Sequence, residues 1–250
     1  MRIIFSPSKE MRDRESISVF SSTLVFADDT NFLMKKLQSF SEEEIGKIMK
    51  IKGSLLKETY NNFQNYDSLK KTEAIGLYNG VSFRKLQLEN YKEKNIQYLK
   101  DNLVILSALY GALHPFDEIK PYRLDMTMKI MDSSLYSFWN AKVTEYLNSL
   151  IDNDKEKVLI NLASGEYSKM IERKKFKHRI IDIDFKEEKN GKFVSVSSFS
   201  KQGRGAMLNY LVTEKLSSLE KIKEFNEMGY SFNSGLSKES SFIFTRNSEA

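Results

Sequence analysis

The sequence predicts a mixed α/β fold: a single domain over residues 1–250, with a mixed β-sheet core, surrounding helices and an embedded helical hairpin. Three observations carry this prediction. Short apolar runs at residues 2–5, 103–106 and 158–162 have the length of buried strands and lead into small or turn-forming residues. Longer segments between them space their apolar residues along one face of a helix. No repeat, low-complexity linker or shift in composition divides the chain.

Composition narrows the function classes. A hydrophobic content of 40% and a charged content of 29% describe an ordinary globular chain. Cysteine is absent, which excludes disulfides, thiolate metal sites and a cysteine nucleophile, and fits a reducing cytoplasm. Only two histidines occur, His114 and His178, so a site built from several imidazoles is excluded. The net charge of +5 permits nucleic-acid or phosphate binding without requiring it. No apolar stretch has the length of a membrane span, and the N-terminus is too short in apolar residues for a signal peptide. The expectation is a cytoplasmic protein with no membrane partner, no metal and no cofactor.

The elements follow in chain order. Residues 2–5 read as a buried strand ended by Ser6-Pro7. Residues 12–31 lack a pattern and are expected to be irregular. From Thr30 a helical stripe runs through Phe32, Leu33, Lys36, Leu37 and Phe40. Ser41 and Glu44 form a capping box that starts the next helix, with Ile45, Ile48 and Met49 inward. The short turn Lys50-Ile51-Lys52-Gly53-Ser54 leads to a helix with Leu55, Leu56, Tyr60 and Phe63 on one face. Residues 32–66 therefore form a helical insertion. Its outline fits a helix-hairpin-helix, whose turn amides hold a nucleic-acid phosphate, and equally an ordinary αα-hairpin.

Residues 74–80 read as a strand and a turn, with Gly80 at positive φ. Residues 86–101 read as helix and residues 134–150 as an amphipathic helix with Trp139 in the core. Residues 179–185 and 193–199 alternate as a strand hairpin around the turn at 188–191. Residues 204–219 read as helix, and residues 230–233 and 242–246 as a late strand pair.

Candidate chemistry is concentrated after the strands. The loop at 106–126 carries Tyr110, Pro115, Pro121, Tyr122 and Arg123, and residues 163–169 open a helix directly after a strand. Asp182 and Asp184 share a strand face but are more often solvated or salt-bridged than metal ligands. Ser164 lacks the G-x-S-x-G context of a hydrolase nucleophile. The basic groups are the stronger candidates. Lys9, Arg123, Lys169, Lys201 and Arg204 are these candidates, and several of them fall at or just after predicted strand ends, which is a reason to place them around one cleft. Gln202-Gly203 between Lys201 and Arg204 suggests a glycine-bearing helix N-terminus suited to phosphate. The basic run at 172–179 reads as a solvated face.

Four segments together resemble the YaaA family of bacterial peroxide-stress proteins. They are Phe5-Ser6-Pro7-Ser8-Lys9, residues 106–126, Asn161-Leu162-Ala163-Ser164-x-Glu166-Tyr167-x-Lys169, and Ser200-Lys201-x-x-Arg204-Gly205-x-Met207 after Gly191-Lys192. The resemblance extends to Phe225-Asn226-x-x-Gly229-Tyr230 and covers essentially the whole chain. It implies a cytoplasmic protein that protects against hydrogen peroxide by limiting DNA damage and free iron. It also implies a mixed α/β domain with a positively charged cleft and a DNA-binding helix-hairpin-helix, which by position is the turn at Lys50, Lys52, Gly53 and Ser54. Departures fall at Ser8, His114, Asp125, Ser200 and Gln202-Gly203, where the family commonly has Ala, Arg, Glu, Ala and a more basic or alanine-like pair.

Two functions follow as expectations. In the first, duplex or distorted DNA is bound without sequence preference through the cleft cations and the hairpin turn. In the second, the cleft is an enzyme site for a nucleotide or nucleobase. Glu166 is then the acid or base, and Tyr110 or Tyr122 stacks on the base. A salt bridge from Glu166 to Arg123 or Lys169 is the structural alternative for that carboxylate. Direct iron binding is disfavoured by the lack of cysteine and the scarcity of histidine.

Overall fold

The computed structural model describes residues 1–13 and 22–247. Part of the segment expected to be irregular, residues 14–21, lies outside them. The first strand, β1 (Arg2–Phe5), is followed by α1 (Ala27–Gln38), α2 (Glu42–Met49) and α3 (Gly53–Gln64). Then come β2 (Thr72–Glu73), α4 (Ala74–Leu77), α5 (Glu93–Asn102), β3 (Leu103–Ser107), β4 (Gly111–Leu113) and β5 (Glu118–Ile119). The second half holds α6 (Leu135–Asp152), β6 (Val158–Asn161), α7 (Gly165–Ser168), β7 (Arg179–Lys189) and β8 (Lys192–Val194). It ends with α8 (Ser197–Glu214), α9 (Leu219–Ile222), β9 (Ser231–Phe232) and β10 (Ser241–Asn247). The result is a mixed α/β fold: a central sheet with helices around it.

The sheet has eight strands in the order β4-β3-β1-β6-β7-β10-β9, with β8 on β7. Its centre, β3-β1-β6-β7-β10, is parallel, and β4, β8 and β9 are antiparallel additions. Strands covered on both faces have no solvent side to offer polar residues, which is why β1, β3 and β6 read as continuous apolar runs. Ile3, Ile4, Phe5, Ile105, Leu159 and Ile160 are all buried. On β7 buried residues alternate with partly exposed ones over much of its length.

The order also fixes where a site can form. The chain leaves β1 toward β3 on one side, and leaves β6 toward β7 on the other. Loops that diverge from two adjacent parallel strands open a crevice at their carboxyl ends, the usual ligand position in such sheets.

Several predicted elements shift. Residues 74–77 are a helical turn rather than a strand, because the Ala74 and Ile75 amides bond to the Asp117 and Pro115 carbonyls of the neighbouring segment. Gly80 does not adopt positive φ. It is required instead for close approach, since a Cβ there would stand 2.2 Å from Ser8 Oγ. The strand expected over 193–199 stops at Val194, and α8 begins at Ser197, several residues before the helix expected at 204. Lys201 and Arg204 therefore lie within α8, where backbone amides are engaged in the helix, and Gln202-Gly203 does not open it. Trp139 lies in the core, its Nε1 donating to the Ala108 carbonyl at 2.8 Å.

Residues 42–64 form an αα-hairpin. Ser41 and Glu44 make the reciprocal capping box: the Glu44 amide donates to Ser41 Oγ at 3.3 Å, and the Ser41 amide to Glu44 Oε2 at 2.7 Å. Ile45, Met49 and Phe63 anchor it to the core. Gln38 and Gln64 tie it to α1 through side chain to carbonyl bonds at 2.9 and 3.0 Å.

Candidate functional site

The crevice at the ends of β1 and β6 is a cleft of about 320 Å³. Its floor joins the two diverging loops. The Ser164 amide donates to Ser6 Oγ at 2.8 Å, and the two hydroxyls lie 3.2 Å apart. The segment 122–125, residues 80–83, and Lys201 and Arg204 of α8 line the cleft. The contact between residues 80–83 and α8 is tightly fixed. Ser82 Oγ donates to the Lys201 carbonyl at 2.8 Å. A Cβ at Gly205 would stand 2.2 Å from the Ser82 carbonyl oxygen, so only glycine lets α8 approach this loop so closely.

Four of the five expected cleft cations, Lys9, Arg123, Lys201 and Arg204, line this space together with Glu166. Lys169 does not; it is exposed at the end of α7. The cleft also holds Glu10 and Asp125, so its charge is mixed rather than purely cationic. Lys9 Nζ contacts Asp125 Oδ2 at 2.5 Å, and Glu10 is held by Arg84 at 2.7 Å and by Asn79 at 2.9 Å.

The two arginines differ from the lysines. The Nε atoms of Arg123 and Arg204 are both buried and have no hydrogen-bond partner among the described residues. Arg204 reaches Asp184 only at 3.6 Å, and burial lowers its pKa against that pairing. A guanidinium is a pure donor, so a buried nitrogen without an acceptor is destabilising by about 1–3 kcal/mol. An anionic ligand would relieve both.

Glu166 makes no salt bridge to Arg123 or Lys169 among the described residues. Its Oε1 accepts from the Met126 amide at 3.1 Å. Burial, reinforced by the nearby Asp125 charge, raises its pKa above the ordinary carboxylate value, while the Met126 hydrogen bond, Lys9 and Lys201 partly oppose this. The cleft thus contains a carboxyl with a raised pKa, Glu166, beside Asp125, which is paired with Lys9. Such a separation of roles is what acid–base chemistry uses.

Of the two tyrosines expected to stack on a base, Tyr122 lines the cleft and Tyr110 does not. Tyr110 is buried, its hydroxyl 2.5 Å from that of Tyr66 and its ring edge-on to Tyr122 at 5.2 Å, so no face remains for a base. Tyr122 lines the cleft, but its hydroxyl is buried against Ser107 at 2.7 Å and Tyr78 at 2.8 Å. Burial raises its pKa too. His114 faces the Lys100 carbonyl at 3.1 Å and does not line the cleft. Asp182 is engaged by Asn161 at 2.7 Å and Arg173 at 2.6 Å. No group of three or more metal-ligating side chains is found among the described residues.

The hairpin turn lies outside the cleft. Lys50 and Gly53 adopt the left-handed conformation at φ 54° and 65°. Lys50, Lys52, Gly53 and Ser54 are exposed. The first turn of α3 has no acidic residue and no side-chain cap, so its amides, without helical partners, lie beside two exposed lysines. A groove of about 310 Å³ runs along α3 past Leu55, Glu58 and Asn62 to Lys9, Tyr122 and Arg123.

Sequence reasoning found the cations but missed the framework. The Ser6–Ser164 contact, Gly205 and the Asp184 partner of Arg204 are tertiary facts. The only available signal was the position of Ser6 and Ser164 directly after two buried strands. No helix among the described residues is long and apolar enough to cross a membrane.

The comparisons with known proteins agree with the motifs. The family model described as "Peroxide stress protein YaaA" matches residues 1–236. A UPF0246 protein of Fusobacterium nucleatum is 51% identical over 249 residues, 98% of this chain and 99% of that protein. UPF0246 proteins of Crocosphaera subtropica and Rickettsia felis are 35% and 34% identical, each covering 98% of this chain and 100% of theirs. The chain belongs to the YaaA/UPF0246 family of peroxide stress proteins.

Proposed function

We propose that the protein binds DNA by its backbone, in the cytoplasm, and acts in peroxide stress by limiting oxidative damage to DNA and free iron. The reading rests on the family and on one observation, the open turn between α2 and α3. There, the amides of an uncapped helix start lie beside the exposed Lys50 and Lys52. A helix start of this kind suits a phosphate at any sequence. The cleft cations Lys9, Arg123, Lys201 and Arg204 supply a second contact region.

The test is fluorescence anisotropy of labelled duplex DNA across a salt series. Binding that is tight at low salt and weakens steeply supports the reading, because each phosphate contact contributes about 0.9 to the logarithmic salt slope. Absence of binding at low salt overturns it.

Glu166 favours a second reading, an enzyme acting on a nucleotide or nucleobase in the same cleft. A carboxyl whose pKa is raised by burial is suited to protonate a leaving group. Release of base or phosphate from nucleosides and nucleotides, lost on Glu166→Gln, would support it. No turnover by the wild type across such a screen removes it.

A further inference from the structure

The α3 groove and the β1/β6 cleft are not separate. Lys9, Met11, Tyr122 and Arg123 line both, so the two spaces meet at these residues. From that junction the groove runs along α3 toward the hairpin turn, while the cleft runs to Arg204. We propose that groove and cleft form one track for the end of a single nucleic-acid strand, with its terminal phosphate lodged between Arg123 and Arg204. The proposal rests on the nucleic-acid reading above and specifies which part of the polymer the cleft receives.

Three features select an end over an internal segment. First, the floor of the cleft is closed by the Ser6–Ser164 contact, and one side by the loop at 80–82 locked onto α8. A strand entering from the α3 junction meets that floor, which suits a chain end. Second, the arginine Nε atoms are buried and unpartnered, whereas Lys9 is already neutralised by Asp125. One buried guanidinium nitrogen on each arginine, without an acceptor among the described residues, suits a terminal phosphate, which near neutral pH carries close to two charges against one for an internal phosphodiester. Third, Asp125 and Glu166 line the same cleft. Their carboxyl groups disfavour a second phosphate next to the first. They suit the polar edge of a base or the hydroxyls of a sugar instead, where a protonated carboxyl donates and an ionised one accepts.

The experiment compares three short labelled oligodeoxynucleotides by anisotropy: one with a 5′-phosphate, one with a 3′-phosphate and one with hydroxyls at both ends. One phosphorylated end should bind roughly tenfold more tightly than the hydroxyl control, the gain expected of charge-assisted bonds to a buried site. Arg123→Gln and Arg204→Gln should each remove that preference, with thermal melts confirming folding. The wild-type comparison stands alone if a variant fails to fold, and Arg204→Lys gives a milder second change. Lys50→Ala/Lys52→Ala should weaken all three oligonucleotides alike and leave the preference intact. Equal wild-type affinity for phosphorylated and hydroxyl ends overturns the track while leaving duplex binding, measured separately, to decide the broader reading. Displacement by deoxyadenosine monophosphate at lower concentrations than by the phosphorylated oligonucleotide overturns the strand-end assignment in favour of a free nucleotide.

Discussion

The cleft and the hairpin turn both present cations, but in opposite physical states. In the cleft the two arginines are partly desolvated, the cations are interleaved with Glu10, Asp125 and Glu166, and α8 is held by packed backbone. At the turn they are exposed, no carboxylate lies in the first turn of α3, and a Cβ placed on Gly53 would meet nothing within 4 Å. A desolvated, shaped site selects a ligand by geometry and is weakly screened. An exposed one attracts any polyanion and loses strength as salt rises. One protein can therefore combine indiscriminate attachment with a selective pocket, provided the two are independently built.

The sharpest test of that independence is a glycine substitution at each region. Gly205→Ala drives a methyl into the Ser82 backbone at 2.2 Å, and neither α8 nor the loop at 80–82 has a flexible end that can yield. We expect a stability loss of about 3 kcal/mol in urea melts, the upper end of overpacking, and loss of ligand selectivity in the cleft. Gly53→Ala meets no neighbour and is strained only through its φ of 65°, at a cost of about 1 kcal/mol. It should weaken duplex binding and leave the cleft alone. Equal losses at the two positions would mean that the regions form one mechanical unit.

Salt separates them next. Lys50→Ala/Lys52→Ala removes two exposed cations and should lower the logarithmic salt slope for duplex DNA by about 2 and the low-salt affinity by roughly tenfold. Lys201→Ala removes one exposed cation at the cleft rim and should change the slope by about 1 at most. A larger slope change from Lys201 than from the turn pair would shift the main duplex contact to the cleft.

The same contrast explains what was legible in the sequence. The capping box at Ser41 and Glu44 and the helical stripes around it are local, so the hairpin appears in the sequence nearly as it folds. The buried strands were equally plain, because a parallel sheet covered on both faces demands unbroken apolar runs. The cleft was legible only as a set of cations after strands. That Lys9 is spent on Asp125, that Lys169 points elsewhere and that Tyr110 is sealed in the core depend on packing between segments far apart in the chain. Residues 193–199 failed for a related reason. Their alternation is genuine, but the last of them serve as the first turn of α8, where Ser200 Oγ bonds to the Phe185 carbonyl at 3.1 Å.

The smallest expected effect has the most specific sign. Glu44 and Glu166 are perturbed in opposite directions. The Ser41 amide, and then its hydroxyl, hold the Glu44 carboxyl below its ordinary value of 4.5, whereas burial and Asp125 hold Glu166 above it. A carboxyl with a lowered folded pKa stabilises the chain above its unfolded value, and that contribution is lost as pH falls through the folded one. A carboxyl with a raised folded pKa does the reverse: its contribution is complete below the unfolded value and disappears as pH rises through the folded one. Near neutral pH, Glu44→Gln should therefore melt below the wild type, and Glu166→Gln should melt at or above it, because the amide fills the same space without an ionised group beside Asp125. Both differences should shrink as the pH is lowered, Glu166's first. A Glu166→Gln variant less stable than the wild type near neutral pH would mean that its ionised form is held by the cleft cations, and the cleft would then resemble the hairpin turn more closely than its burial suggests.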